Sequence, residues 1–251
     1  MYIEWNNNTV RWFADASEYT GFNRKLAGII LDHIGSRRTL ADLGCGAGLI
    51  DIELAPYIGQ ITCVDIDEYA VNSVKELAAR HGIGNITAVH ADAAALEGKW
   101  DTVIALFHGR LETFLEKYFD MAGETFIAVV RGNPVRMESM SQKMMHLYRT
   151  VEQTSEILDR LGIRYELLTG SLEYGQPFRS LDDARNYAEM YRKCRDGESM
   201  EDYLARALTD TEDPQFPLYM PYEKKYGMYV IKKTDNIGFT FSDNRSEASK
   251  I

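Results

Sequence analysis

The stretch that most constrains this chain is Thr39-Leu40-Ala41-Asp42-Leu43-Gly44-Cys45-Gly46-Ala47-Gly48-Leu49-Ile50. The apolar run Leu40 to Leu43 predicts a short buried strand. It stops at three glycines on alternate positions, and a segment of helical period, Leu49, Ile50, Ile52 and Leu54, follows at once. Strand, glycine turn and helix together bring backbone close to whatever lies above the turn. Glycine has no Cβ and tolerates positive φ, and the first N–H groups of a helix have no intrahelical partner. A tight strand-to-helix turn without a ligand satisfies the same pattern, so the residues downstream must decide between the two.

The spacing narrows the choice. Dinucleotide sites use G-x-G-x-x-G, and their third glycine falls where Leu49 stands. Here the order is Gly44-x-Gly46-x-Gly48, preceded by Asp42. The second predicted strand, Ile61 to Asp65, ends in an acid about twenty residues past the glycines, where a carboxylate accepts ribose hydroxyls. Asp67 leads the predicted helix Glu68 to Arg80 and reads as its cap. The third strand, Asn85 to His90, closes with Ala91-Asp92-Ala93. The fourth, Trp100 to Leu106, runs into Phe107-His108-Gly109. Asp101 stands at the start of that strand, away from the carboxyl edge where such sheets bind ligands, and reads as structural.

The D-x-G-x-G-x-G turn with acids after the second and third strands resembles the motifs of the class I S-adenosylmethionine (SAM) dependent methyltransferases, over roughly Gly21 to Val135. The resemblance implies SAM as cofactor. It implies that Asp42, Gly44, Cys45, Gly46 and Gly48 form the cradle, that Asp65 and Ile66 lie at the ribose, and that Asp92 and Ala93 meet the adenine. Phe107 then lies at the edge where the methyl group is delivered. Arg24, on the helix before the first strand, is a candidate partner for the methionine carboxylate; a surface arginine on an amphipathic helix is the alternative. The implied reaction is in-line methyl transfer, in which the protein aligns and desolvates the reactants. A base is needed only for a protonated nucleophile, and His108 is the candidate; a loop histidine is the alternative. His108 and Asn133, at the ends of the fourth and fifth strands, have no carboxylate beside them, so no catalytic metal is expected.

The alternation of strand and helix predicts an α/β doubly wound, mostly parallel seven-stranded sheet, with the last strand antiparallel and helices on both faces. Residues 1–38 form a helical lead-in, with Phe22, Leu26, Ile29, Ile30 and His33 on one face and Gly35 as its stop. The core is 39–170 with 223–234, its fifth strand Glu124 to Val130, its sixth Ile163 to Leu168 and its seventh Tyr226 to Lys232. A helix is expected from Arg136 to Leu161, with Met140, Met144 and Leu147 in its packing stripe. Residues 171–222 form a helical cap between strands six and seven, with helices opened by Ser180 and Ser199. The cap's aromatics, Tyr187, Tyr191, Tyr203, Phe216, Tyr219 and Tyr222, line a substrate pocket, form a satellite core, or do both. Residues 235–251 read as a loosely held polar tail.

Composition bounds the partners. The net charge of −10 gives no counterion-release affinity for nucleic acid, and the D/N-P-P-Y signature of amino-methylating nucleic-acid enzymes is missing after the fourth strand. Cys45, Cys63 and Cys194 lack zinc spacing. No apolar leader or membrane-length run is present, so a cytoplasmic setting is expected. The expected partners are a small-molecule substrate and no nucleic acid or membrane, in a monomer or homodimer. Three other classes keep the same cofactor motifs: a non-catalytic SAM-binding sensor or partner subunit, a protein methyltransferase, and an aminopropyl transferase. The last needs acids after the fourth strand, where Leu106-Phe107-His108 offers none.

Overall fold

The computed structural model describes residues 4–108, 111–132, 150–191, 193–195, 197–239 and 241. Two helices lead in, α1 (Asn7–Thr20) and α2 (Phe22–Leu31). Asn6 caps α1 in a reciprocal box with Thr9. Gly21, at φ 67°, takes the left-handed conformation that ends α1 and lets α2 start in a new direction. Helix α2 ends at Leu31, capped by Asp32, so Gly35 is not the stop that the sequence suggested.

The chain then runs β1 (Thr39–Leu43), α3 (Leu49–Leu54), β2 (Gln60–Asp65), α4 (Glu68–Arg80), β3 (Ile86–His90), β4 (Trp100–Leu106), α5 (Leu111–Met121), β5 (Ala122–Arg131), α6 (Val151–Arg160) and β6 (Glu166–Glu173). The cap follows, with β7 (Gln176–Phe178), α7 (Leu181–Met190), α8 (Met200–Ala207), β8 (Thr209–Asp210) and β9 (Leu218–Met220). The long strand β10 (Glu223–Lys232) closes the core. The main sheet has seven strands in the order β3-β2-β1-β4-β5-β10-β6. Strands β1 to β5 are parallel, and β10 is antiparallel to both β5 and β6. The order reverses between β1 and β4, which opens a crevice at their carboxyl ends.

Alternation along each strand fills two apolar layers. Ala41, Leu43, Val103, Phe126 and Tyr229 pack on one face with Tyr118 and Leu158. Leu40, Ile61, Ile104 and Val230 pack on the other with Leu26, Ile30 and Leu54. Strand β6 starts later than expected because Ile163 is buried in the first layer instead of joining the sheet.

The two expected cap helices form, with Ser180 and Ser199 as their caps. The small antiparallel sheet β7-β9-β8 beside them was not expected. Its strands hold two or three residues each, too few to show alternation. Tyr174 N–H donates to Tyr222 O at 2.7 Å, which ties the neck of the cap shut. Helix α1 belongs with this cap more than with the core. Trp12, 1% exposed, donates from Nε1 to Asp183 at 2.9 Å, and Arg179 pairs with Asp15 at 2.7 Å.

The tail is also held more firmly than its polarity suggests. A 3-10 turn covers Lys233–Asn236, and buried Asn236 bonds both the N–H and the C=O of Arg164. Phe239 and Phe241 pack edge-on against Phe119 of α5. The expectations for Asn133, for the Met140, Met144 and Leu147 stripe and for the tail beyond 241 lie outside the described residues.

Candidate active site

The glycine turn sits at the carboxyl end of β1, where the sheet order reverses. Gly44 N–H and Cys45 N–H both donate to Val64 O, at 2.8 and 3.1 Å, which folds the turn back over β2. Gly46 N–H donates to Asp65 Oδ2 at 2.9 Å, while Oδ1 of the same carboxylate accepts from Asp67 N–H at 2.9 Å. Asp65 therefore pins the turn with one lone pair per oxygen and keeps the others for hydroxyl donors. Asp67 caps α4 through Tyr69 N–H and Ala70 N–H, as expected.

The three glycines differ in what they make room for. A Cβ on Gly44 would lie 2.1 Å from His108 Nδ1, and one on Gly46 would lie 2.6 Å from Trp5 Cζ2. A Cβ on Gly48 would instead meet Val74 of α4 at 2.8 Å, so Gly48 is required by helix packing. The cradle formed by Gly44 and Gly46 is thus bounded by an imidazole and an indole, with a ribose-competent carboxylate below it. Cys45, half-buried, directs its Sγ toward Gly46 O at 3.5 Å. Ile66 is 62% exposed beside Asp65, an apolar surface at the place the adenosine would need one. Asp92 is exposed and accepts from Ala94 N–H at 2.8 Å, and Ala93 is buried beneath it. These residues fit the groups of SAM expected at each.

Two expectations for cofactor-binding residues need correction. Asp42 is 1% exposed and faces Asp51 of α3 rather than the cradle. Arg24 lies on the solvent side of α2 with its guanidinium 3.6 Å from Glu53. Burial raises the Asp42 pKa well above the carboxylate range and pushes Asp51 up to about 7. Asp42 Oδ1 has no donor among the described residues, and Asp51 is held only weakly, by Asp42, the Cys63 thiol and backbone. A proton held by the pair supplies one, so the fold binds protons here that the unfolded chain releases near pH ~4. Stability from this pair is full below that pH and is lost as the pH rises toward the folded value of about 7. An Asp51→Asn variant replaces one acid by a permanent donor. Its melting temperature is expected to fall less than that of the parent between about pH 5 and about pH 8. At the upper end it should gain ~1–3 kcal/mol, the cost of an unmet buried polar group. Parallel pH profiles in thermal melts would refute the shared proton.

At the end of β4, Phe107 takes φ 53°, the one non-glycine residue at positive φ among the described residues. Such strain concentrates at functional positions. It turns the Phe107 ring toward the cap side and swings His108 back over Gly44. His108 Nε2 lies 3.4 Å from the Tyr118 hydroxyl, and burial lowers the imidazole pKa against the opposing fields of Asp65 and Asp92.

Sequence reasoning missed the wall of this site. Trp5 stacks on Phe13 (ring centroids 5.1 Å apart), Phe13 on Tyr174 (6.3 Å), Tyr174 on Phe22 (4.4 Å) and Phe22 on Phe107 (6.3 Å). This aromatic chain connects the glycine turn to the end of β4. Asn7 at the start of α1 bonds the Tyr69 hydroxyl, which straps the lead-in across the mouth of the cradle. Lys224 was legible in principle: it shares strand parity with buried Tyr226, Met228 and Val230.

Comparison with solved structures finds the same fold. A SAM-dependent methyltransferase from Aquifex aeolicus aligns over 91% of this chain and 99% of its own, with a TM-score of 0.54 and 13% identity. The magnesium protoporphyrin IX methyltransferase of Synechocystis PCC 6803, solved with bound S-adenosylhomocysteine (SAH), aligns over 91% and 89%, with a TM-score of 0.53 and 17% identity. Residues 40–131 match the methyltransferase domain family. Residues 40–131 are thus similar to a methyltransferase domain, and the chain around them has the fold of the two SAM-dependent enzymes above. The matched span of that domain runs from β1 to β5 and holds the glycine cradle, Asp65, Asp92, Phe107 and His108.

Among curated proteins, the ribosomal protein L11 methyltransferase of Bacteroides fragilis is 37% identical over 84 residues, 32% of this chain and 30% of its own length. The "Probable cobalt-precorrin-6B C(15)-methyltransferase (decarboxylating)" of Pyrobaculum aerophilum is 26% identical over 137 residues, 51% of this chain and 63% of its own. The matches thus span about a third and under two thirds of those relatives. Among the described residues, no helix is long and apolar enough to cross a membrane, and no cluster of His, Cys, Asp and Glu could hold a metal ion.

Proposed function

We propose that this protein transfers the methyl group of SAM to a small-molecule acceptor held between the sheet edge and the cap. The observation that carries this reading is the aromatic cluster beside Arg131, at the edge where β5 ends. Tyr174, Tyr187 and Tyr191 crowd that edge, and burial raises the pKa of each phenol, that of Tyr191 to about 12. A site walled by half-buried rings shields a compact acceptor from water and has little room for a folded protein or an RNA helix. The precorrin relative is named for a small-molecule substrate, which agrees with this reading.

In the proposed reaction, SAM would supply an electrophilic methyl on its sulfonium sulfur, and the neutral thioether SAH would leave as the S–CH3 bond breaks. Asp65 orients the ribose while anchoring Gly46, and the methionine portion lies beside the turn, where His108 and Trp5 pack directly on the bare backbone of Gly44 and Gly46. His108 accepts the proton of the nucleophile at the end of β4. The cap and the aromatic chain hold the acceptor in line and keep the site dry.

The test is transfer of label from methyl-tritiated SAM into a cell extract, followed by fractionation by size. Label in the small-molecule fraction is the expected result. Label confined to macromolecules would overturn it and favour a protein acceptor, the kind of substrate for which the Bacteroides relative is named.

A further inference from the structure

Three cationic side chains meet where the cap closes onto the sheet. Arg131 ends β5, Lys224 lies at the start of β10, and Lys193 follows α7. Arg131 pairs with Tyr226 across the ladder, and Lys224, two residues earlier, lies on the same face. The Lys224 ammonium stands 3.6 Å from the ring centroid of Phe107, 4.5 Å from Tyr174 and 5.2 Å from Phe22. The Lys193 ammonium stands 5.9 Å from both Tyr187 and Tyr191. Burial, and then the field of Arg131, push Lys224 down to about 7 and lower Lys193 as well, so both ammoniums lie within the field of that guanidinium.

Other cations at this level of the fold are matched by carboxylates: Arg11 pairs with Asp183, and Arg179 with Asp15. Among the described residues, neither Lys224 nor Lys193 forms an ion pair. Aromatic faces attract an ammonium by about 0.5–2 kcal/mol, but they accept no conventional hydrogen bond from it. In a chain of net charge −10, holding two lysines away from the available carboxylates is costly unless a ligand completes the site. The ligand that does so brings negative charge and acceptor oxygens together.

Resting on the small-molecule reading above, we propose that the substrate is an anion whose carboxylate or phosphate oxygens bind Lys224 and Arg131, with Lys193 closing over them from the cap. The Lys224 ammonium touches the Phe107 ring, and His108 is the next residue along the chain. An anion seated there therefore directs the rest of the molecule along the end of β4 toward Gly44, where the methyl group arrives. The anchored oxyanion sets the substrate's orientation; the atom that is methylated lies elsewhere on the molecule.

The test uses the full chain saturated with SAH and three probes of one shape: benzoate, phenyl phosphate and neutral benzamide. Calorimetry at low ionic strength is expected to show at least one anion binding ten or more times more tightly than benzamide (~1.4 kcal/mol per tenfold). The tighter of the two anions identifies the oxyanion. Lys224→Met should abolish the preference and Lys224→Arg should keep it, with SAH affinity the same in both. Equal binding of all three probes, or an undiminished preference in Lys224→Met, would overturn the assignment. Failure of the two readings is separable. Selective anion binding without any label transfer refutes transfer and leaves the anion site standing; a labelled small product without anion selectivity does the reverse.

Discussion

Gly46→Val is expected to bind SAH at least a hundredfold more weakly than the parent, a loss of at least ~2.7 kcal/mol in calorimetry. Three consequences of one Cβ combine. Gly46 lies at φ 55°, where a β-branched residue is strained by about 1–3 kcal/mol. The added carbon would lie 2.6 Å from the Trp5 indole, which closes the cradle from above. Relief of either conflict moves the Gly46 N–H away from Asp65, and that 2.9 Å bond sets both the turn and the ribose carboxylate. Gly28→Ala is the control. It lies on the exposed face of α2, with open space around its Cα, and should raise helix stability by up to ~1 kcal/mol without touching affinity. If Gly46→Val held SAH within threefold of the parent, the cradle would be misassigned.

The contrast between Gly46 and Gly48 shows what the sequence could and could not reveal. Both are glycines of one motif, both stand at positive φ, and only the packed structure separates the one that meets Trp5 from the one that meets Val74. The strands of the core were legible because Val103 to Leu106 is a continuous apolar run, and Leu40 to Leu43 and Ile61 to Val64 are apolar apart from one residue each. Such runs mark strands covered on both faces. The acids at their ends were legible because they break those runs. Asp42 breaks its run too, yet it is turned to Asp51 on the helix beyond the glycine turn, a contact that no local pattern encodes. The role of α1 was hidden for a related reason. Its amphipathic face fits any apolar partner, and its docking on the cap is decided by Trp12 and Arg11 reaching Asp183, more than 170 positions along the chain. Lys224 offered a weak local signal, a charge on the buried parity of a strand, whose meaning depends on Phe22 and Phe107 arriving from two other elements.

His108→Gln is expected to lower turnover by about 10²–10⁴-fold, the usual contribution of a positioned general base, while SAH affinity changes little. The imidazole packs with its Nδ1 edge against Gly44, at the carboxyl end of β1. Burial lowers its pKa from the ordinary histidine value, which makes the ring neutral and able to accept a proton at neutral pH. The sign of the pH dependence follows. Protonation silences the base, so the parent should lose activity on acidification below about pH 6.5, the unshifted histidine value, and stay level above it. A glutamine side chain has no titration in this range, so the residual rate of His108→Gln should be flat across the same interval. Tyr118, whose hydroxyl lies 3.4 Å from Nε2, steadies the ring from the side away from Gly44. Tyr118→Phe should therefore shift the acidic limb of the profile without removing it. The measurement is single-turnover transfer of tritium from SAM to the acceptor purified from the labelled extract, taken across pH. Full activity in His108→Gln at every pH would mean that alignment between the cradle and the cap alone drives transfer, as it can when the nucleophile arrives already deprotonated.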